Sequence, residues 1–472
     1  MLPRTAYSRA AVRPLATSRR SHHIAVVGSG PAGFYTTKYI LKSMPQAKVH
    51  LYERLPVPFG LVRWGVAPDH PEVKNVADDF HSVATTYSDR FQFFGNTTVG
   101  DAPGAQGGPA VALEDLRRGY DGVVLAYGAE ADTRLNLPGE EGPGVLTARE
   151  FVLWYNGHPD FSHLKVDLSR VQEAVVIGQG NVALDVARVL LRSPAELAKT
   201  DITAHAVAAL ETSAVKKVTV LGRRGAAQAA FTNKELRELT RDPAFTAALD
   251  PANLEACLNE ASQKEIASSR PRKRTMDILQ GMAKQWESRD TADRVLEIAF
   301  LRSPVGYERG PDGVTGLRVA HTRLAGQPGS QRAMVTEQEE VLGAQMVVQS
   351  VGFKVTPIPG VPFERGAVVR RGAVVLDRED QLAPVFSAGW LKRGPTGVIA
   401  TNIPDAQETA DAVVRIVGGG PAAAPGLAQP AGAVSFEGWL RIRAEEERRG
   451  AVKGKPAEKV VTRGEMLSLA AA

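Results

Sequence analysis

Two glycine-rich turns, each with charged residues a fixed distance downstream, carry most of the chemistry legible in this chain. The first is Gly28-Ser29-Gly30-Pro31-Ala32-Gly33, directly after the apolar run Ile24-Ala25-Val26-Val27. The second is Gly178-Gln179-Gly180-Asn181-Val182-Ala183, directly after Ala174-Val175-Val176-Ile177. Each reads as strand, tight turn and helix, the pattern that holds a dinucleotide pyrophosphate. Gly28 permits the turn, Gly30 admits the pyrophosphate to the backbone, and Gly33 lets helix and strand pack closely; Ala183 is a permitted last position. The helix start then offers free amides and a partial positive charge to the phosphates. About 20 residues beyond the first turn, the strand-like Lys48-Val49-His50-Leu51-Tyr52 ends in Glu53. Beyond the second, Lys217-Val218-Thr219-Val220-Leu221 ends in Gly222-Arg223-Arg224. A carboxylate suits a free ribose hydroxyl pair and would repel a phosphate there, whereas guanidinium groups hold a phosphate monoester bidentately. The two sites therefore take different dinucleotides, and the second has the character of an NADP site.

Other residue types could act at such sites, each with a plainer reading beside it. His70, in Ala67-Pro68-Asp69-His70-Pro71, is a candidate proton carrier because imidazole titrates near neutral pH; a loop histidine is also commonly structural. Asp185, on the helix of the second turn, could partner it across units or pair locally. Glu235 in Lys234-Glu235-Leu236-Arg237-Glu238 reads, on residues alone, as a surface acid paired along its helix. The amides of Gly397, Val398 and Ile399 would start a helix able to stabilise negative charge on a reduced flavin ring. Trp390 could lie against that ring or fill a core. Arg272, Lys273 and Arg274 form a basic loop, of interest only toward an acidic partner.

These positions need a scaffold of alternating strands and helices. A first unit begins near His23 and runs through Gly122-Val123-Val124-Leu125 to Ala129, with a Pro-rich apolar loop, 55–71, expected to pack against a ligand. Phe91 to Val99 reads as strand. The second unit holds the second turn, a delayed strand at 217–221 and strand-rich sequence from 296 to 323. Residues 384–390 return to the first unit, followed by a helix toward Val417, a flexible Gly/Ala/Pro spacer at 418–431 and a charged helix at 436–449.

The chain has 472 residues, room for two or three domains. Its one cysteine, Cys257, excludes an internal disulfide, a redox Cys pair and a cysteine-ligated cluster in this chain. No apolar run reaches the roughly 18 residues of a membrane span. The first acid is Glu53, and Arg4, Arg9, Arg13, Arg19 and Arg20 account for the whole formal net charge of +5. An Arg-rich, acid-free leader over 1–22 reads as an organelle transit peptide. The remaining body is near neutral and gives no reason to expect nucleic-acid binding.

From Ile24 to about Leu467 the sequence resembles the adrenodoxin reductase family of ferredoxin–NADP reductases. The resemblance is carried by Pro58 to Pro71, Gly178 to Arg188, Val220 to Gly225, Phe231 to Glu238 and Gly389 to Ile399, together with the delayed strand between Asp185 and Arg223. Trp390 stands where many related two-dinucleotide flavoproteins carry an aspartate, as in the adrenodoxin reductase branch. The resemblance implies an α/β fold of two Rossmann-like domains of the glutathione reductase-like type, the NADP domain (130–335) inserted into an FAD domain (23–129 and 336–472). It implies FAD at Ala32, Glu53, Leu61, Val99, Trp390 and Gly397 to Ile399. It implies NADP at Gln179, Gly180, Asn181, Val182, Arg223, Arg224, Glu235 and Gly397, with His70, Asp185 and Glu235 near the reacting rings. The implied reaction is hydride transfer from NADPH to flavin N5, then two single-electron transfers to an acidic [2Fe-2S] ferredoxin that meets Arg272, Lys273 and Arg274. The implied place is the mitochondrial matrix or the matrix face of the inner membrane. Two other readings are an NADPH-dependent flavin oxidoreductase with another acceptor, similar to the small subunit of glutamate synthase but without its cluster cysteines, and a low-turnover FAD- and NADP-binding sensor.

Overall fold

The structure is a computed structural model that describes residues 21–101, 107–377 and 381–472. The leader, through residue 20, lies outside the described residues. Two six-stranded sheets organise the chain. The first runs, edge to edge, Val374–Leu376, Val385–Ser387, Gly122–Leu125, His22–Val27, Ala47–Tyr52 and Phe91–Phe94. All of its pairings are parallel except that between Val374–Leu376 and Val385–Ser387. The second runs Thr246–Leu249, Val295–Ala299, Lys217–Leu221, Glu173–Ile177, Met346–Gln349 and Val145–Thr147, all parallel. Parallel sheets need both faces covered, so their strands are continuous apolar runs rather than alternating ones. Ile24, Ala25 and Val26 are accordingly fully buried, as are Val123, Val124 and Leu125 beside them.

Helices Pro31–Ser43 and Asn181–Leu191 each follow the central strand of their sheet, as the turn pattern predicts. The close helix–strand approach depends on missing side chains. A Cβ on Gly33 would sit 1.9 Å from the Gly28 carbonyl oxygen, and one on Gly28, where φ is +100°, would sit 2.6 Å from Tyr127 Cα.

Four expectations change. The strand predicted over 91–99 stops at Phe94, because Asn96 turns the backbone to φ 58° before Thr98–Val99 pairs separately with Ala110–Val111. Arg272, Lys273 and Arg274 are not a loop. They lie in the first two turns of the helix Arg270–Ala283, where Ser269 caps the Arg272 amide and Pro271 occupies the first turn. Met346–Gln349 pairs with Glu173–Ile177, so the chain stays with the second sheet through Gln349 and does not return to the first at 336. The two crossings run side by side, Ala131–Asp132 antiparallel to Phe353–Lys354. The 418–431 spacer is pinned along the first sheet, since Asp121 accepts from the Ala423 and Ala424 amides at 2.9 and 3.1 Å, and Gly426 N–H donates to Gly119.

A third, antiparallel sheet, Arg302–Gly310, Gly313–Ala325 and Arg332–Gly343, packs Tyr307, Leu317 and Val319 against Val175, Ile177 and Val347 of the second. No helix among the described residues is long and apolar enough to cross a membrane.

Gly33→Ala is expected to cost about 1–3 kcal/mol, the usual penalty of overpacking, measured as a fall in Tm. A variant melting with the parent would contradict the close approach at the first turn.

Candidate functional site

The first turn gathers residues from three distant stretches. Glu53, at the end of Ala47–Tyr52, reaches back to it: its carboxylate accepts from Ser29 N–H at 3.1 Å and Ser29 Oγ–H at 2.7 Å, and its other oxygen from Leu55 N–H at 3.0 Å. Burial pushes the Glu53 pKa up, against these donors and the nearby Arg54. The Pro-rich loop folds onto the turn through Phe59 N–H to the Ser29 carbonyl, and a Cβ on Gly60 would sit 3.0 Å from Gly30 Cα. Leu61, partly exposed, follows at the start of a one-turn helix. Val99 is buried just beyond Thr97, whose amide donates to the Glu53 carbonyl.

The returning segment lies on the same helix start. A Cβ on Gly389 would sit 2.4 Å from Ala32 Cβ, so Gly389 and Trp390 follow the surface of the first turn. Asp405 fixes that approach by accepting from Gly389 N–H at 2.5 Å and pairing with Lys392 at 3.1 Å. Trp390 is partly exposed and stacks on Phe353, with ring centroids 5.5 Å apart. Gly397, at φ 87°, precedes a single 3₁₀ turn, Ile399–Thr401, before the helix Asn402–Ile416; Val398 is exposed and Ile399 half-buried.

At both glycine turns the place for a phosphate is open. Among the described residues, nothing lies within 4 Å of a Cβ built on Gly30 or on Gly180. Neither helix has an acid in its first turn or, among the described residues, a side-chain cap. The unmet amides and partial positive charge of a helix start suit an anion. Beside the second turn, Gln179 packs over Gly222, and its buried Nε2 has no hydrogen-bond partner among the described residues. The residues present thus fit two pyrophosphate-bearing cofactors.

Between the two turns lies a charged network the sequence did not reveal. His70 is buried, and its Nε2 lies 2.8 Å from Glu238 and 3.8 Å from Glu235, both on the helix Asn233–Leu239 of the second unit. The cross-unit partner of His70 is therefore Glu238 rather than Asp185. Asp185 instead accepts from Arg188 at 2.8 Å. Arg188, 2% exposed, forks onto Asp69 at 2.6 and 3.1 Å and approaches Glu235 at 3.8 Å. Arg192 continues the chain from Asp69 at 2.8 Å to Asp242 at 2.7 Å. Burial opposes ionisation of Asp69, but the Arg188 hydrogen bond and charge outweigh it and lower its pKa. Burial dominates at Asp185 and raises it. Burial, reinforced by the Asp185 charge, raises Glu235, whose Oε2 has no hydrogen-bond partner among the described residues. His70, Asp185 and Glu235 thus do share one site. Glu238, Asp69 and Arg188 belong to it too, and a sequence offers no sign of contacts 119 or 168 positions apart.

Arg223 and Arg224 are exposed in one cleft of about 340 Å³, lined also by Gln331, Arg332 and Ala333. Arg272, Lys273 and Arg274 are exposed, and among the described residues make no ion pair.

Two parallel dinucleotide-type units, one inserted in the other and joined by a buried acid–base network, define an oxidoreductase that works between two nucleotide cofactors. Residues 22–244 match the family described as pyridine nucleotide-disulphide oxidoreductase. The chain is 44% identical over 475 residues to the mitochondrial NADPH:adrenodoxin oxidoreductase of Homo sapiens, spanning 96% of this chain and 93% of the relative. It is 41% identical over 488 residues to that of Arabidopsis thaliana, spanning 98% and 97%. Among solved structures, FprA of Mycobacterium tuberculosis in complex with NADPH superposes with a TM-score of 0.87 at 36% identity, covering 96% of this chain and all of that one. The chain belongs to the NADPH:adrenodoxin oxidoreductase family. A redox disulphide has no place in it, because its one cysteine is buried and free.

Removing one partner of a buried pair leaves an uncompensated charge, so Asp69→Asn should cost about 3–5 kcal/mol near neutral pH. The folded Asp69 pKa is depressed, so its contribution is complete above the unfolded value of about 3.9 and is lost as pH falls through the folded one. Melting of parent and variant across pH should therefore converge in acid; a constant gap down to the lowest pH tolerated would contradict this.

Proposed function

We propose that the chain binds FAD at the first turn and NADPH at the second, and passes electrons from NADPH to a [2Fe-2S] ferredoxin. The reading rests on one juxtaposition. The loop packed on the first turn and the helix that starts at the second meet in one network that holds Asp69, Arg188, His70, Glu235 and Glu238, with a carboxylate after the first turn's next strand and arginines after the second's. Glu53 accepts hydrogen bonds from ribose hydroxyls, with Gly28, Gly30 and Gly33 leaving the pyrophosphate room at the helix start. Ala32, Leu61, Val99 and Trp390 flank the FAD, and the amides of Gly397, Val398 and Ile399 favour negative charge on its ring. Gln179, Gly180, Asn181 and Val182 receive the NADPH pyrophosphate, and Arg223 and Arg224 its 2′-phosphate. The free Glu235 oxygen and Gly397 would line the nicotinamide end of a bound NADPH. His70, held by Glu238, and Asp185, held by Arg188, place ionisable groups beside the reacting rings. FAD, when bound, supplies the conversion of a two-electron donor to single-electron steps. With one buried cysteine the chain has no acceptor of its own, so the electrons leave to a partner.

Arg272, Lys273 and Arg274, exposed at a helix start near Asn233, offer an acidic ferredoxin a complementary patch. The Arg-rich leader and the mitochondrial relatives support placement in the mitochondrial matrix, at most peripheral to the inner membrane. Cytochrome c reduction by NADPH should require an added [2Fe-2S] ferredoxin and weaken as salt screens the patch; reduction of small quinones alone, with no ferredoxin active at any ionic strength, would contradict the reading. Arg223→Glu with Arg224→Glu should raise KM for NADPH far more than for NADH, by about 100-fold if two charge-assisted contacts are lost. Equal losses for both nucleotides would remove the 2′-phosphate assignment.

A further inference from the structure

The cleft beside Arg223 and Arg224 has a third arginine, supplied by a part of the chain that no strand–turn–helix unit contains. Arg332 opens the strand Arg332–Gly343, the outer strand of the antiparallel sheet, and lines the same cleft. It lies outside the residues matched by the family model, 22–244. Arg223, Arg224 and Arg332 are all exposed, and among the described residues none of their side chains makes a hydrogen bond or ion pair. Three unpaired like charges on one cleft repel each other, and an anion between them relieves that repulsion.

Both walls of the cleft are fixed from behind. On one side, Thr322 Oγ1–H donates to the Arg223 carbonyl at 2.7 Å, and Leu301 N–H to the Arg224 carbonyl at 3.2 Å. Thr322 lies on the sheet strand paired with Arg332–Gly343, so the arginine turn and the hairpin are tied to each other. On the other side, Gln331 is buried. It donates to Ser262 Oγ at 3.0 Å and to Glu265 at 2.9 Å, and accepts from Asn259 at 2.8 Å. Glu265, also buried, accepts from Gly329 N–H at 2.8 Å and from Gln228 at 3.1 Å, which holds the hairpin turn to the helix Glu260–Ala267. The residue preceding Arg332 is thus anchored, and the guanidinium itself is left free at the cleft. Such preorganisation lowers the ordering cost of capturing a ligand.

We propose that Arg332 is a third determinant of nucleotide specificity, engaging the 2′-phosphate together with Arg223 and Arg224. This rests on the NADP reading of the second unit. A phosphate monoester carries close to two negative charges near neutral pH and three acceptor oxygens, enough to engage three guanidinium groups, whereas a free ribose hydroxyl pair gives Arg332 no anionic partner.

The test titrates the isolated holoprotein calorimetrically with 2′,5′-ADP and with 5′-ADP, for the parent, Arg332→Ala and Arg332→Lys. Tm and flavin content report that each variant is intact. Arg332→Ala should weaken 2′,5′-ADP about tenfold, roughly 1.4 kcal/mol, and leave 5′-ADP within about twofold. Arg332→Lys should retain part of the affinity as a point charge. The proposal is overturned if Arg332→Ala binds 2′,5′-ADP like the parent, or loses both ligands equally while the parent still prefers 2′,5′-ADP; the NADP reading survives either result. A parent that binds both ligands equally overturns the NADP reading and this proposal with it.

Discussion

The buried fork between Asp69 and Arg188 is the contact on which the rest of the site depends. Asp69 belongs to the loop that folds onto the first glycine turn, and Arg188 to the helix that starts at the second. Both side chains are 2% exposed. A charge pair removed from water is costly and needs good geometry to repay that cost; Arg188 Nε and Nη2 are hydrogen-bonded, while its buried Nη1 has only the 3.8 Å approach to Glu235 among the described residues. Here Arg188 is shared among Asp69, Asp185 and Glu235, and Asp69 between Arg188 and Arg192. That sharing fixes direction as well as distance. His70 is next in sequence to Asp69, so locking Asp69 sets where the imidazole meets Glu238. Further ties pin the same stretch. Asn156 donates to the Trp64 and Val66 carbonyls at 3.0 and 3.1 Å, Arg63 pairs with Glu446 at 2.5 Å, and Lys74 pairs with Asp201 at 2.5 Å. Asp201 also holds Lys459, whose pKa burial pulls down to about 7 against that carboxylate. The apolar, Pro-rich loop with charges at its end is thus one of the ties between the two nucleotide units, beside the C-terminal contacts to Asp201 and Ala204.

The units share a backbone plan and differ in charge. At the first, a buried carboxylate is held by donors from the turn and from the loop, so it organises both. At the second, arginines stand exposed and, among the described residues, unpaired. The same strand–turn–helix physics thus presents opposite charges at the end of the next strand. The single buried cysteine supplies a further constraint, since the chain can form neither an internal disulfide nor a cysteine-ligated cluster.

What was legible in the sequence was what is local along it. Gly28 to Gly33 and Gly178 to Ala183 revealed their strands and helices because turn, helix start and packing lie within a dozen positions. Glu53 and Arg223 followed from spacing. Non-local charges were not legible: Glu238 looks like any helix-surface acid, and Asp69 and Arg188 come together only when two units dock. Met346–Gln349 is as apolar as a first-sheet strand, and apolarity does not say which sheet a strand joins. The helix at 270–283 did leave a signal. Ser269 before Arg270-Pro271 is an N-cap followed by a first-turn proline, outweighed in the reading by its run of basic residues. Arg332 left none, because its place beside Arg223 is set by hairpin register.

If the Asp69–Arg188 fork sets the geometry between the units, weakening it without removing its charge should slow transfer while leaving each site able to bind. Arg188→Lys keeps the cation and loses the two-pronged contact. The decisive measurement is anaerobic stopped-flow bleaching of the flavin at saturating NADPH, in parent and Arg188→Lys, with flavin content and 2′,5′-ADP affinity measured on the same preparations. Flavin content and affinity should be unchanged and bleaching slowed about 10- to 100-fold, the scale of a misplaced reacting pair. Bleaching at the parental rate, with both sites loaded, would contradict it.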